Sequence, residues 1–375
     1  MRNPQIAILG AGGFIGRNLL TDLLLEKNSN QIIMVPLRNP KNLGVFNKRI
    51  ISRQCDHLDI KKLKLIMRRV EVIYHTAGLA WQHSFKTDFS QLDLLIEQLL
   101  QNSISAYFLG SILRKHQRLV WTSTSAIDSM FDALTRAQRT MLEDEVESFI
   151  ESLFVQKNLY SASTSSLKNT VWKLVVKHIL YSFSFALEFS YAYSKYVGQK
   201  ILQKLADGNI KILKISDVYG PGQNISADLV KKNIPARRIQ RFVALHALIS
   251  GGYTSWIPSQ KNKIHGFYKT NRNHIVQEIR NDILFPTYID DVVYMIKKAA
   301  QANTTIKSVL QLNGNKVENN NIGKEIRNFC KTNVMIQLVN NAKVKYIKRK
   351  DDLSTLNIKR KSLIDFKTGL RRWLA

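Results

Sequence analysis

Residues 6–27, IAILGAGGFIGRNLLTDLLLEK, set a short apolar run against a glycine-rich turn and then against leucines that recur at helical spacing. The apolar run suits a buried strand and the leucines suit one face of a helix. Between them, Gly10, Gly13 and Gly16 stand where a strand-to-helix turn needs positive φ, where the backbone must approach a pyrophosphate, and where helix and strand pack closely. The N–H groups that open the helix then face a phosphate. The stretch therefore reads as the start of a dinucleotide-binding βαβ unit.

The pattern continues outward. QIIMVPL at 31–37, VEVIYHTAG at 70–78 and RLVWTSTSA at 118–126 read as strands, and DIKKLKLIMRR at 59–69 reads as an intervening helix. Ile- and Val-rich strands separated by amphipathic helices indicate a parallel sheet covered on both faces. The expected class is α/β: a Rossmann doubly wound parallel sheet with helices on both faces and a smaller C-terminal substrate-binding lobe. Residues 1–222 are expected to form the nucleotide-binding domain and 223–375 mainly the lobe, with 285–315 returning to the first domain.

Residues 129–189 interrupt the alternation. They comprise a charged helical stretch at 131–154, a Ser-rich patch, and NTVWKLVVKHILYSFSFALEF at 169–189. The last segment is strongly apolar but carries Lys173, Lys177 and His178, which argues against a membrane-spanning helix. The expectation is an inserted helical segment outside the sheet that covers the substrate cleft or a partner site. Beyond it come SYAYSKYVGQKIL at 190–202, a strand-like IKILKIS at 210–216 and the turn DVYGPG at 217–222.

Composition narrows the function. Of 375 residues, 45% are hydrophobic, enough for a sizeable core. The two cysteines, Cys55 and Cys330, have no His or Cys neighbours at ligand spacing, so neither a metal site nor a disulfide framework is expected. The first strand begins almost at once, without a signal-peptide pattern, and a cytoplasmic location follows. The net charge of +28 draws anionic ligands, yet the basic residues are scattered and lack interleaved aromatics, so no nucleic-acid partner is expected.

The end of the second strand selects the cofactor, because a carboxylate there binds ribose hydroxyls whereas a basic side chain accepts a 2′-phosphate. MVPLRNPKN at 34–42 has no carboxylate, and Arg38, with Lys41 nearby, favours NADP; NAD stays open. In SYAYSK, Tyr191 and Lys195 are four apart, so on a helix they share one face.

Together these motifs resemble the extended short-chain dehydrogenase/reductases, the NAD(P)-dependent epimerase/dehydratase family. GAGGFIG carries the family's Gly-x-x-Gly-x-x-Gly turn, with Phe14 and Ile15 inside it, and CDHLD places Asp56 and His57 at the adenine. Thr76, Ala77 and Gly78 end the fourth-strand motif, WTSTSAI matches the fifth, and Val218 lies in a segment resembling Asn-Val-Tyr-Gly-Pro-Gly. The family's catalytic pair falls on Tyr191 and Lys195. The sequence departs from the pattern at Lys214, Ile215 and Asp217, at AIDS (126–129), and in the 67 positions separating Thr124 from Tyr191.

The resemblance implies hydride transfer at a carbinol or ketone. Lys195 lowers the pKa of Tyr191 and holds the nicotinamide ribose, while Thr124, or alternatively Ser123, hydrogen-bonds the substrate oxygen. Asp290, Asp291 and His75 receive no acid/base role. The substrate is expected to be a nucleotide sugar; a steroid- or flavonol-like alcohol and a non-catalytic NADP(H)-binding subunit are the alternatives. A homodimer is a family expectation, and a peripheral membrane contact by the apolar insertion stays open.

Overall fold

The computed structural model describes residues 5–26, 30–43, 47–79, 90–156, 159–205, 209–223, 243, 269–271, 274–280, 283–303, 308–332, 335–339 and 351–374. The chain divides into two compact units, residues 1–215 with 293–311, and residues 216–292 with 312–375. The boundary falls where the sixth strand ends.

The first unit is built on a seven-stranded parallel sheet. Its strands are β1 (Ile6–Leu9), β2 (Ile33–Leu37), β3 (Ile50–Gln54), β4 (Val72–His75), β5 (Arg118–Thr124), β6 (Ile210–Ile215) and a last strand, Val309–Leu312. The spatial order runs from that last strand through β6, β5, β4, β1 and β2 to β3. The chain reverses direction across the sheet between β1 and β4, and the crevice beyond the carboxyl ends of those strands is where such sheets bind ligands. Every residue of β1 is buried, as expected for a strand covered on both faces.

Helix α1 (Phe14–Leu25) follows β1, with Gly16, Leu19, Leu20 and Leu23 buried. Helix α2 (Ile60–Met67) is capped by Asp59, whose side chain accepts from the N–H of Lys62, and α3 (Gln91–Gln98) is capped likewise by Ser90. A π-helical segment, Leu99–Ile104, leads without a break into α4 (Ser105–Ile112). Such widened turns are rare and break the i→i+4 register.

Among the described residues, 129–189 contribute no strand; they form the end of α5 (Ala126–Asp132), α6 (Arg136–Phe154), α7 (Thr164–His178) and α8 (Phe183–Glu188). A Thr135–Gln138 capping box starts α6 and Ser163 caps α7. Their apolar faces merge with α3, the π segment, α4 and α9 (Ser190–Leu205) in one cluster that includes Leu142, Phe149, Ile150, Val171, Val175, Tyr193 and Val197. The segment expected to lie outside the sheet contributes helices that share one apolar cluster with α9. No helix among the described residues is long and apolar enough to cross a membrane.

In the second unit, the short strand Val218–Tyr219 pairs in parallel with Thr287–Tyr288, and a three-stranded sheet joins Met335–Val339, His274–Arg280 and Lys269–Asn271. Most of 223–284, expected to hold substrate contacts, lies outside the described residues.

Because the inserted helices complete the cluster around α9, deleting residues 135–180 with a short linker is expected to abolish cooperative unfolding. Phe149→Ala should cost about 3–5 kcal/mol in urea denaturation, since Phe149 is fully buried.

Candidate active site

The turn after β1 comes against the turn after β4. Gly10 has φ +87°, and a Cβ there would stand 2.5 Å from the backbone nitrogen of Ala77, so only glycine fits. Thr76 fixes the second turn from below, donating its Oγ1 hydrogen to the carbonyl of Leu9 at 3.0 Å. Gly13 is the N-cap of α1, with no side-chain cap and no acid in the first turn. The N–H groups of the first turn, with Phe14 and Ile15, are left for an anion, which fits a pyrophosphate.

Arg38, just past β2, and Asp56, just past β3, meet at the same sheet edge, with Arg38 Nε 3.8 Å from Asp56 Oδ2. His57 Nδ1 is 3.9 Å from the same carboxylate. The Lys41 side chain lies outside the described residues. Three residues expected at the adenosine end of the cofactor are therefore neighbours, and the guanidinium expected to take a 2′-phosphate already faces a carboxylate.

Tyr191 and Lys195 lie on α9, with Tyr191 half-buried and Lys195 buried. Lys195 Nζ donates to the carbonyl of Thr122 at 3.1 Å and sits 4.6 Å from the centroid of the Trp121 ring. A Cβ on Gly78 would approach that ammonium to 3.1 Å, so the lysine lies directly against the turn after β4. Burial pulls its pKa down from 10.5 to about 7. The unfolded chain then binds the extra proton between those values, and the stability Lys195 contributes is lost as pH falls from 10.5 toward 7.

Thr124 ends β5 and accepts the N–H of Ala126 on its Oγ1 at 3.1 Å, leaving its hydroxyl hydrogen available. The Ser123 hydroxyl is buried and has no partner among the described residues. Val218 lies buried in the second unit, within the strand Val218–Tyr219. In the same unit Asp291 accepts the N–H of Ile364 at 2.9 Å, a structural contact for a carboxyl that burial pushes up to about 6. No group of His, Cys, Asp and Glu suited to a metal occurs among the described residues.

The sequence reading passed over Asn102, in the π segment. Its side chain donates to the carbonyl of Leu79 and to Ser194 Oγ, and accepts the N–H of Leu79, while Ser103 Oγ donates to the Ser194 carbonyl. This polar bridge ties the loop after β4 to α9 one residue before Lys195. The signal was the polar run QNS within an otherwise apolar helix. Two departures from the family pattern answer one another, for Lys214 forms a largely buried ion pair with Asp128 of the AIDS segment.

His75 is fully buried at the end of β4, its ring 6.2 Å from that of His57, and neither of its nitrogens has a hydrogen-bond partner among the described residues. Burial holds His57 down at about 4 and His75 well below its usual range.

Residues 7–171 match the model of the 3-beta hydroxysteroid dehydrogenase/isomerase family. Curated protein sequences give no match. Among solved structures, the UDP-N-acetylglucosamine 4-epimerase of Methanobrevibacter ruminantium is 14% identical with a TM-score of 0.60, covering 100% of this chain and 97% of its own. The UDP-glucuronic acid 4-epimerase of Bacillus cereus, solved with UDP-glucuronic acid and NAD, is 18% identical with a TM-score of 0.59, covering 98% and 97%. The UDP-glucose 4-epimerase of Thermotoga maritima gives 14%, 0.60, 98% and 97%. At these identities the likeness is one of fold.

The neutral buried histidines set an acid limit. An unfolded histidine takes up its proton near pH ~6.5, whereas the folded His57 resists until about 4, so stability should fall as pH drops between them. Urea midpoints measured from pH 7 to 4 should decline, and His75→Phe should flatten the decline by up to about 1.4 kcal/mol per pH unit.

Proposed function

We propose that the chain is an extended short-chain dehydrogenase/reductase of the NAD(P)-dependent epimerase/dehydratase type, and that it catalyses hydride transfer at a secondary carbinol or ketone of a nucleotide sugar. The observation that carries this reading is the seat of Lys195: a buried ammonium against the ends of β4 and β5, one helical turn from Tyr191.

A bound nicotinamide supplies the hydride chemistry. The turn Gly10–Gly16 and the uncapped start of α1 hold its pyrophosphate, with Asp56 and His57 at the adenine and Thr76, Ala77 and Gly78 along its middle. Lys195 holds the nicotinamide ribose and favours the phenolate of Tyr191, which takes the carbinol proton in oxidation and returns it in reduction. Thr124 donates to the substrate oxygen and fixes its distance from Tyr191, with Ser123 as the alternative donor. We assign NADP ahead of NAD on Arg38, against which Asp56 acts as a competing carboxylate.

The family match over residues 7–171 favours a second reading, in which the substrate is a hydrophobic hydroxy- or ketosteroid-like alcohol. Both readings use the same groups on the reacting carbon and differ in what is bound beyond it.

Assays with UDP-sugars and with hydroxysteroids, each with NAD and NADP, separate the two. With the accepted substrate, Tyr191→Phe should lower turnover by about 10²–10⁴ with little change in cofactor affinity, and Lys195→Met should weaken both. Tyr191→Phe within about threefold of the parent would rule out the acid/base role. For the cofactor, Arg38→Ala should weaken NADP binding by about ten- to a hundredfold while sparing NAD. Equal affinity of the parent for both would end the NADP assignment.

A further inference from the structure

Helix α7 is apolar on two sides. Leu167, Val171, Leu174 and Val175 face the core, but Trp172 and Val176, one turn apart on the outer side, are 38% and 49% exposed. The row continues past the helix end into Leu180 and Tyr181, at 67% and 78%. Beside it, Lys173 and Lys177 form a second exposed row, and neither has an ion pair among the described residues. Lys168, at the other end, is engaged by Asp93 and Glu97 of α3.

Acids are absent from α7 itself. On the neighbouring α6, Glu147 and Glu151 are engaged by Lys204 of α9, and Glu145 accepts from the N–H groups of Tyr181 and Ser182, which fixes the turn that presents Leu180 and Tyr181. Asp144 is exposed on α6. The outer side of α7 therefore offers aromatic and aliphatic side chains next to uncompensated ammonium groups, on a chain of net charge +28. An acidic protein would meet the lysines but leave the exposed side chains of Leu180 and Tyr181 without a matching pocket. A bilayer with anionic headgroups meets both: Trp and Tyr settle at headgroup depth, Leu and Val reach the acyl boundary, and the lysines remain at the phosphates.

We propose that the outer face of α7, with Trp172, Val176, Leu180 and Tyr181 as the inserting row and Lys173 and Lys177 as the electrostatic row, docks the protein on an anionic membrane surface. The contact is peripheral and independent of the nicotinamide reading.

The test is co-sedimentation of the full chain with vesicles of equal parts phosphatidylglycerol and phosphatidylcholine, and with phosphatidylcholine alone. Binding is expected only to the anionic vesicles, with quenching of tryptophan emission by lipids brominated near the headgroup and loss of that quenching in Trp172→Phe. Leu180→Ser with Tyr181→Ser, and separately Lys173→Gln with Lys177→Gln, should each weaken binding by about tenfold or more with unchanged thermal unfolding. All these side chains are exposed, so the variants should fold. Binding by both double variants equal to the parent would overturn the proposal, since general positive charge would then account for it. So would no binding by the parent, or parent dimers that Leu180→Ser with Tyr181→Ser disperses, which would make the face a contact between copies of this chain.

Discussion

A lysine ammonium held away from water is the constraint around which the first unit is arranged. An isolated buried charge is costly, so its surroundings must supply partners or let it become neutral. Here the Thr122 carbonyl accepts from it and the Trp121 face lies against it, yet the pKa still falls to about 7. To seat it, the loop after β4 must have glycine at 78, and α9 must be tied by Ser194 to Asn102 and Ser103. The inserted helices share the apolar cluster that also packs α9 against the π segment and α4. What looks in sequence like a detour between β5 and α9 belongs to the same packed cluster as the helix that carries Lys195.

The sheet was legible where its strands are compact apolar runs, as in β1, β2, β4, β5 and β6, whereas β3 was not, because Ser52, Arg53 and Gln54 stand exposed at the sheet edge. Period alone is enough for the apolar runs. The stretch from α3 to α4 was not legible, because its buried side includes Gln98, Gln101, Asn102 and Ser103, polar residues that a hydrophobic pattern assigns to solvent. Asn102 and Ser103 are inside because they bond Leu79 and Ser194 beside Lys195, whereas the buried side chain of Gln98 has no hydrogen-bond partner among the described residues. The packing of α6 to α8 was equally hidden, since it depends on which of several apolar faces meets α9, a long-range matter that spacing does not encode. Lys214 and Asp128 each read as an isolated oddity until the fold paired them.

The adenosine end shows how a side chain that fits a ligand by type also belongs to a charge balance. Arg38 is exposed and its partner Asp56 is partly so, which leaves their attraction screened and the guanidinium free to turn toward a phosphate. The carboxylate does not move away when it does. On the proposed reading, cofactor choice is thus a difference between two contacts of opposite sign.

The π segment, finally, makes the chain intolerant of a kind of change that most surface loops absorb. Residues Leu99–Ile104 lodge a widened turn between two regular helices. Removing one residue there would tighten the turn to an ordinary α-helix and rotate everything on one side by about 100° relative to the other. Asn102 and Ser103 would swing off Ser194, or Phe108 and Leu109 would swing out of the core. In descendants of this gene, then, this stretch should accept exchanges of side chain but keep its count of residues fixed.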